Sequence, residues 1–132
     1  MSNKWLNYEK LIDNAVFGKI ETIKSIKIPS ELKNFITVHH CASPEKYIFL
    51  LNGKEEIFGA VLSFNENDNE NSNVFDALEN VQDNDLFPFA IDPFGNYLCY
   101  SLTTQEIVFW DIEMQQVVKT NKNLKNFIYC LT

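Results

Sequence analysis

The chain has 132 residues, 45% hydrophobic and 22% charged, with four Gly and four Pro. Such a chain makes one globular domain with a single core, and a disordered, collagen-like or Pro-rich protein is excluded. Eighteen Asp and Glu face eleven Lys, with no Arg, for a net charge of −7; broad nucleic-acid binding needs the opposite field, so the charge suits solubility or a basic partner.

The opening residues, Met1 to Lys10, mix charged and apolar side chains, so no targeting segment is expected. The longest apolar run, Tyr47 to Leu51, has five residues, whereas a membrane span needs about 20. Cys41, Cys99 and Cys130 are odd in number and lack CxxC spacing. That indicates neither a zinc site nor a disulfide framework, and it fits reduced thiols in a cytoplasmic protein.

Residues 3–17 predict a helix, because Trp5, Tyr8, Leu11, Ile12, Ala15 and Val16 recur at three- and four-residue steps. Gly18 is placed to end it. Residues 19–28 read as an irregular connector that docks Ile20, Ile23, Ile26 and Ile28 into the core. A second helix begins at Pro29, where a missing N–H costs nothing, with Glu31 in its first turn and His39 and His40 in its last. Lys46 to Leu51 and Glu55 to Phe64 form a hairpin around Asn52-Gly53, with a kink expected at Gly59.

Residues 65–73 are polar throughout and predict an exposed, mobile loop inside the single domain, 1–132. Val74, Leu78 and Val81 suggest a short helix. Leu86 to Asp92 reads as a strand in the centre of a sheet, Pro93 to Asn96 as a turn, and Tyr97 to Leu102 and Ile107 to Asp111 as the next strands. Val117 to Thr120 extends the sheet, and Leu124, Phe127, Ile128 and Leu131 mark a closing helix capped by Asn121 or Asn123. Helices, then a β-meander, then a helix make an α+β fold with an antiparallel sheet.

Chemistry-bearing constellations are sparse. His39-His40-Cys41 cannot converge on one ion, since adjacent helical side chains point about 100° apart, so no metal and no cofactor are expected. Asp92 and Asn96 flank a tight turn in which Gly95 is expected at positive φ. Trp110 is either a binding platform or packing across the sheet. Glu55, Glu56, Glu66, Asp68, Glu70, Asp83 and Asp85 make the middle of the chain acidic, as a solvated surface or a docking patch for a basic partner.

The run Phe87-Pro88-Phe89-Ala90-Ile91-Asp92-Pro93-Phe94-Gly95-Asn96-Tyr97-Leu98-Cys99-Tyr100, followed by Val108-Phe109-Trp110-Asp111-Ile112-Glu113, resembles the SUKH superfamily. That superfamily includes fungal Smi/Knr-type cell-wall-assembly regulators and many bacterial immunity proteins. Pro29, Pro88, Asp92, Gly95, Asn96 and Asp111 carry the motif. Residues 28–36 and 123–128 resemble its early and closing helices. The usual Asn-Gly-Gly after the Pro-initiated helix is missing, which sets residues 40–60 apart from the pattern.

The resemblance implies a twisted antiparallel sheet flanked by helices, and a non-enzymatic protein that neutralises a toxin by binding it. The expected partner is a basic toxin domain, a nuclease in the first instance, encoded by a neighbouring gene. The alternative is a scaffold module of the cell-wall-regulator kind. A hydrolase would have to rest on His39, Cys41 and Asp92 alone. The composition, rich in Lys, Asn and Ile without Arg, fits the bacterial branch.

Overall fold

A computed structural model describes residues 3–132. In chain order the elements are β1 (Trp5–Leu6), α1 (Val16–Lys24), α2 (Ser30–Val38), β2 (Ser43–Pro44), β3 (Ile48–Leu51), β4 (Lys54–Ile57), β5 (Ala60–Val61), α3 (Val74–Asn80), β6 (Leu86–Ile91), β7 (Tyr97–Ser101), β8 (Glu106–Asp111), β9 (Gln116–Asn123) and α4 (Leu124–Tyr129). Strands β5 to β9 form one antiparallel sheet in sequence order. The α+β architecture is the one that the element pattern predicts.

The sheet has elements on both faces. Tyr97 and Tyr100 are three residues apart on β7, so they point to opposite sides. The Tyr97 hydroxyl accepts a hydrogen bond from Asn80 of α3 at 3.0 Å. The Tyr100 hydroxyl donates to Glu31 of α2 at 2.5 Å, and that contact together with burial pushes the tyrosine pKa up. Phe35 of α2 meets Phe89 edge-on, with ring centroids 5.9 Å apart. Phe49 of β3 packs on Phe127 of α4 and on Phe109, fastening the small β3–β4 hairpin to the sheet.

The centre of the sheet is β7, buried at every position, and not β6 as the apolar run suggests. On its outer side β6 meets only the two residues of β5. The strand leaving the hairpin divides at Gly59, as the sequence anticipates, and its second part joins the large sheet. Asn52 and Gly53 have φ of 52° and 79°, the pair of positive values that a tight hairpin needs.

The N-terminal region departs from expectation. No helix covers residues 3–15: Trp5–Leu6 pairs with Ser43–Pro44 as a strand, and Asn7 takes a φ of 64°, which no helix continues through. Ile12 is 80% exposed, so the apparent apolar face is not buried as one. The helix starts at Val16 and runs through Gly18, burying Val16, Phe17 and Ile20. The predicted connector therefore supplies most of α1. Ile20 and Ile28 dock in the core and Ile26 packs against it, while Ile23 stays exposed. Pro29 is the N-cap of α2, so the helix begins at Ser30, one residue later than predicted.

Residues 65–73 are mostly exposed, yet their asparagine side chains tie them to the N-terminal segment. The Asn65 amide donates to the Lys10 carbonyl at 3.0 Å, and its oxygen accepts from the Ile12 N–H at 2.9 Å. The Asn71 amide donates to Glu9 at 2.9 Å.

At the β6–β7 turn Gly95 has a φ of 88°, as predicted. No atom lies within 4 Å of the place where its Cβ would sit. Gly95→Val is therefore expected to destabilise by backbone strain alone, by about 1–3 kcal/mol. A urea-denaturation midpoint equal to that of the unchanged chain would refute this.

Candidate docking site

The predicted acidic residues fall on three separate elements. Glu55 and Glu56 lie on β4, Glu55 exposed and Glu56 half-buried. Glu66, Asp68 and Glu70 lie on the polar loop. Asp83 and Asp85 lie between α3 and β6. Several of these carboxylates are already engaged inside the molecule. Glu66 pairs with Lys19 at 2.9 Å. Asp68 accepts from the Ser63 hydroxyl, the Asn71 amide and the Glu70 and Asn71 N–H groups, which hold its pKa down at about 2.

Asp85 accepts from the Ser101 hydroxyl at 2.8 Å and from the Thr103 N–H and hydroxyl at 2.8 and 2.6 Å. Burial pushes its pKa up, but these hydrogen bonds outweigh burial and keep it low. Asp83 accepts from the Asp85 N–H. Among the described residues Glu55, Glu56 and Glu70 make no side-chain hydrogen bond, which leaves them to solvent or to a partner.

The motif residues build one end of the sheet. Asp92 is buried, and its Oδ1 accepts from the Phe94 and Asn96 N–H groups at 2.9 and 2.8 Å. Its Oδ2 takes the Asn96 amide at 3.0 Å. The Asn96 side-chain Oδ1 then accepts from the Ile112 N–H at 3.0 Å, fastening the β6–β7 turn to the neighbouring β8–β9 turn. Asp111 closes that second turn by accepting from the Glu113 and Met114 N–H groups, both at 3.0 Å. Both aspartates thus act as turn caps, consistent with the structural reading of the motif.

Pro88, which has no N–H to give, sits at the register shift between Pro88 and Ala90. Trp110 stands opposite Tyr97 and Val117 and is only 8% exposed, so it packs across the sheet; its indole N–H has no partner among the described residues.

His39 diverges from His40 and Cys41, which stay together. Helix α2 ends at Val38, and Cys41 takes a φ of 62°. His39 stacks on Trp5 with ring centroids 4.3 Å apart. His40 turns inward and is fully buried. The Cys41 thiol lies 3.4 Å from His40 Nδ1, closer than a helical arrangement would allow. Burial raises the thiol pKa to about 11, which keeps it protonated and disfavours a nucleophile. Among the described residues no group of three His, Cys, Asp or Glu is placed to hold a metal ion. No helix among them is long and apolar enough to cross a membrane.

Charge is segregated along the chain more sharply than the acidic middle alone suggests. All eleven lysines lie at or before Lys54 or at or after Lys119. The 64 residues between them hold thirteen carboxylates and no Lys, Arg or His. Two lysines, Lys46 and Lys125, line a groove of about 720 Å³ with Trp5, His39 and Tyr129, between β1, the end of α2 and α4. Reading for motif residues passes over this contrast, although the sequence contains it.

Fold and site define a small α+β domain: a five-stranded meander, helices on both faces, and a rigid, carboxylate-capped sheet end. A family model described as SUKH_6, SMI1-KNR4 cell-wall, matches residues 17–128, and the chain belongs to the SUKH family. That family includes toxin-immunity proteins and Smi/Knr-like members, which are generally non-enzymatic. No curated protein matches the chain closely.

Proposed function

We propose that the chain is a bacterial immunity protein that acts in the cytoplasm, without catalysis, by binding a cognate toxin domain encoded by a neighbouring gene. The preferred target is a basic nuclease. The observation that carries this reading is the stretch of 64 residues with thirteen carboxylates and no cation. A nuclease gathers positive charge to hold phosphates. A surface rich in carboxylates is attracted to such a target.

Glu55, Glu56, Glu70 and Glu79 are exposed or half-buried, so their charge can be removed without touching the turn caps. Replacing all four with Gln is expected to slow association with the inactivated product of the neighbouring gene by about tenfold at low salt and to flatten its salt dependence. Stopped-flow association rates at several ionic strengths measure this. A rate indifferent to both the substitutions and salt would refute the acidic docking surface. The cell-wall description of the matching family model favours a second reading, a scaffold module of cell-wall regulation. In that case the neighbouring gene encodes no toxin, and its product is not bound.

A further inference from the structure

The two turns fastened together by Asn96 present apolar side chains to solvent. Phe94 is 75% exposed and Met114 60%, with Val117 at the start of β9 42% exposed. A phenyl ring at the tip of a turn gains nothing for folding by standing in water. The backbone that carries it is fixed, because Asp92 holds the Phe94 N–H and the Asn96 N–H, with Gly95 at positive φ in the reversal. The Met114 backbone is held likewise through the Asp111 carboxylate, and Gln115 braces the turn by donating to the Ile112 carbonyl at 2.8 Å. Aromatic and Met side chains are the types enriched at the centres of protein interfaces, and rigid presentation lowers the entropy lost on binding.

The surroundings of this tip are acidic. Beside it, Ile91 and Tyr97 pair next to the β6–β7 turn and line a depression of about 290 Å³ with Asp76 and Glu79 of α3. Glu113 lies exposed on the second turn. The whole sheet end belongs to the stretch that contains no Lys, Arg or His. An apolar centre with a carboxylate rim matches a partner with an apolar pocket edged by Lys or Arg.

We propose that this sheet end is the contact surface for the basic protein partner, with Phe94 and Met114 as its anchors and Asp76, Glu79 and Glu113 as its charged rim. The inference rests on the immunity reading and locates its surface. It moves the contact away from the polar loop, where Glu66 and Asp68 are engaged inside the molecule.

The test uses the full chain and the inactivated product of the neighbouring gene. Phe94→Ser with Met114→Ser is expected to weaken binding by about tenfold or more. Both side chains are exposed, so the thermal midpoint should stay unchanged. A control, Ile128→Ser with Tyr129→Ser in the groove that Lys46 and Lys125 line, keeps the charge and should leave affinity within about twofold, since that groove is outside the proposed contact. Full affinity in the Phe94/Met114 variant, or its loss in the groove control alone, overturns the docking surface while the immunity reading stands. If the unchanged chain does not bind this product, the immunity reading fails and the inference falls with it. If the chain is a dimer that the Phe94/Met114 substitutions dissociate while toxin binding persists, the face serves self-association and the inference is again overturned.

Discussion

His40→Ala is expected to destabilise the domain by about 3–4 kcal/mol, a large part of the ~5–15 kcal/mol that holds a typical domain folded. The imidazole is fully buried and joins three distant segments. Its Nε2 accepts from the Phe64 N–H at 2.7 Å, so Nδ1 carries the proton and donates to the Glu9 carbonyl at 2.7 Å. The Glu9 N–H returns a bond to the His40 carbonyl at 3.0 Å. Alanine leaves a buried N–H and a carbonyl without their partner and opens a cavity where the ring stood. Urea unfolding of the two proteins measures the loss, and a difference below about 1 kcal/mol would overturn the assignment.

The same contacts predict a pH dependence. Burial lowers the His40 pKa below its ordinary 6.5, more strongly than the Glu9 carbonyl raises it. A proton on Nε2 would also face the Phe64 N–H. The unfolded chain therefore takes up a proton near pH 6.5 that the folded chain refuses. Stability is full above this value and is lost as the pH falls through 6.5 towards the lower folded pKa, with a slope of up to about 1.4 kcal/mol per pH unit for one histidine. His39, desolvated beside Trp5, acts in the same direction. The depressed carboxylates Glu21, Asp68 and Asp85 act only at lower pH, below their ordinary values of 4.5 and 3.8. Unfolding free energies between pH 7 and 5 should decline for the unchanged chain and decline less steeply for His40→Ala.

Gly59→Ala is expected to cost about 3 kcal/mol or more. A Cβ there would stand 2.5 Å from the Ile91 carbonyl oxygen and 3.2 Å from the Asp92 Cα, both backbone atoms with nowhere to turn. The Gly59 N–H donates to that same Ile91 oxygen at 3.1 Å. Any shift that admits a methyl group breaks this bond and strains the Ala60–Ile91 pairing beside it. Gly18→Ala supplies a contrast of opposite sign. Gly18 lies inside α1 with nothing within 4 Å of a Cβ, so alanine there is expected to stabilise by about 0.5–1 kcal/mol through its helix propensity. Denaturant midpoints of the two variants should move in opposite directions; a shared direction would remove the close approach as the cause.

Local pattern determined much of this protein. The Asn52-Gly53 hairpin, Gly95 at positive φ, the Asn123 cap whose side chain accepts from Asn126, and the strand order of the meander all follow from contacts between near neighbours in the chain. The family resemblance rests on the same kind of signal, because the Asp92-to-Asn96 turn is held by residues within the motif itself.

What the tertiary structure decided depends on partners far away in sequence. Residues 3–17 carry a helical apolar spacing, but Trp5 meets Phe35 and Phe58 and pairs with Pro44, so distant contacts override the local period. The polar loop looks free until Asn65 and Asn71 find Lys10, Ile12 and Glu9 more than fifty residues earlier. The candidate docking site is of the same kind. Composition places the carboxylates in the middle of the chain, but it does not distinguish Asp85, engaged with Ser101 and Thr103, from Glu113 in solvent. Nor does it reveal that Phe94 and Met114, twenty residues apart, stand on two turns fastened by Asn96 and Ile112. Side-chain identity sets the charge and the turns, whereas the pairing of strands sets which groups remain exposed together.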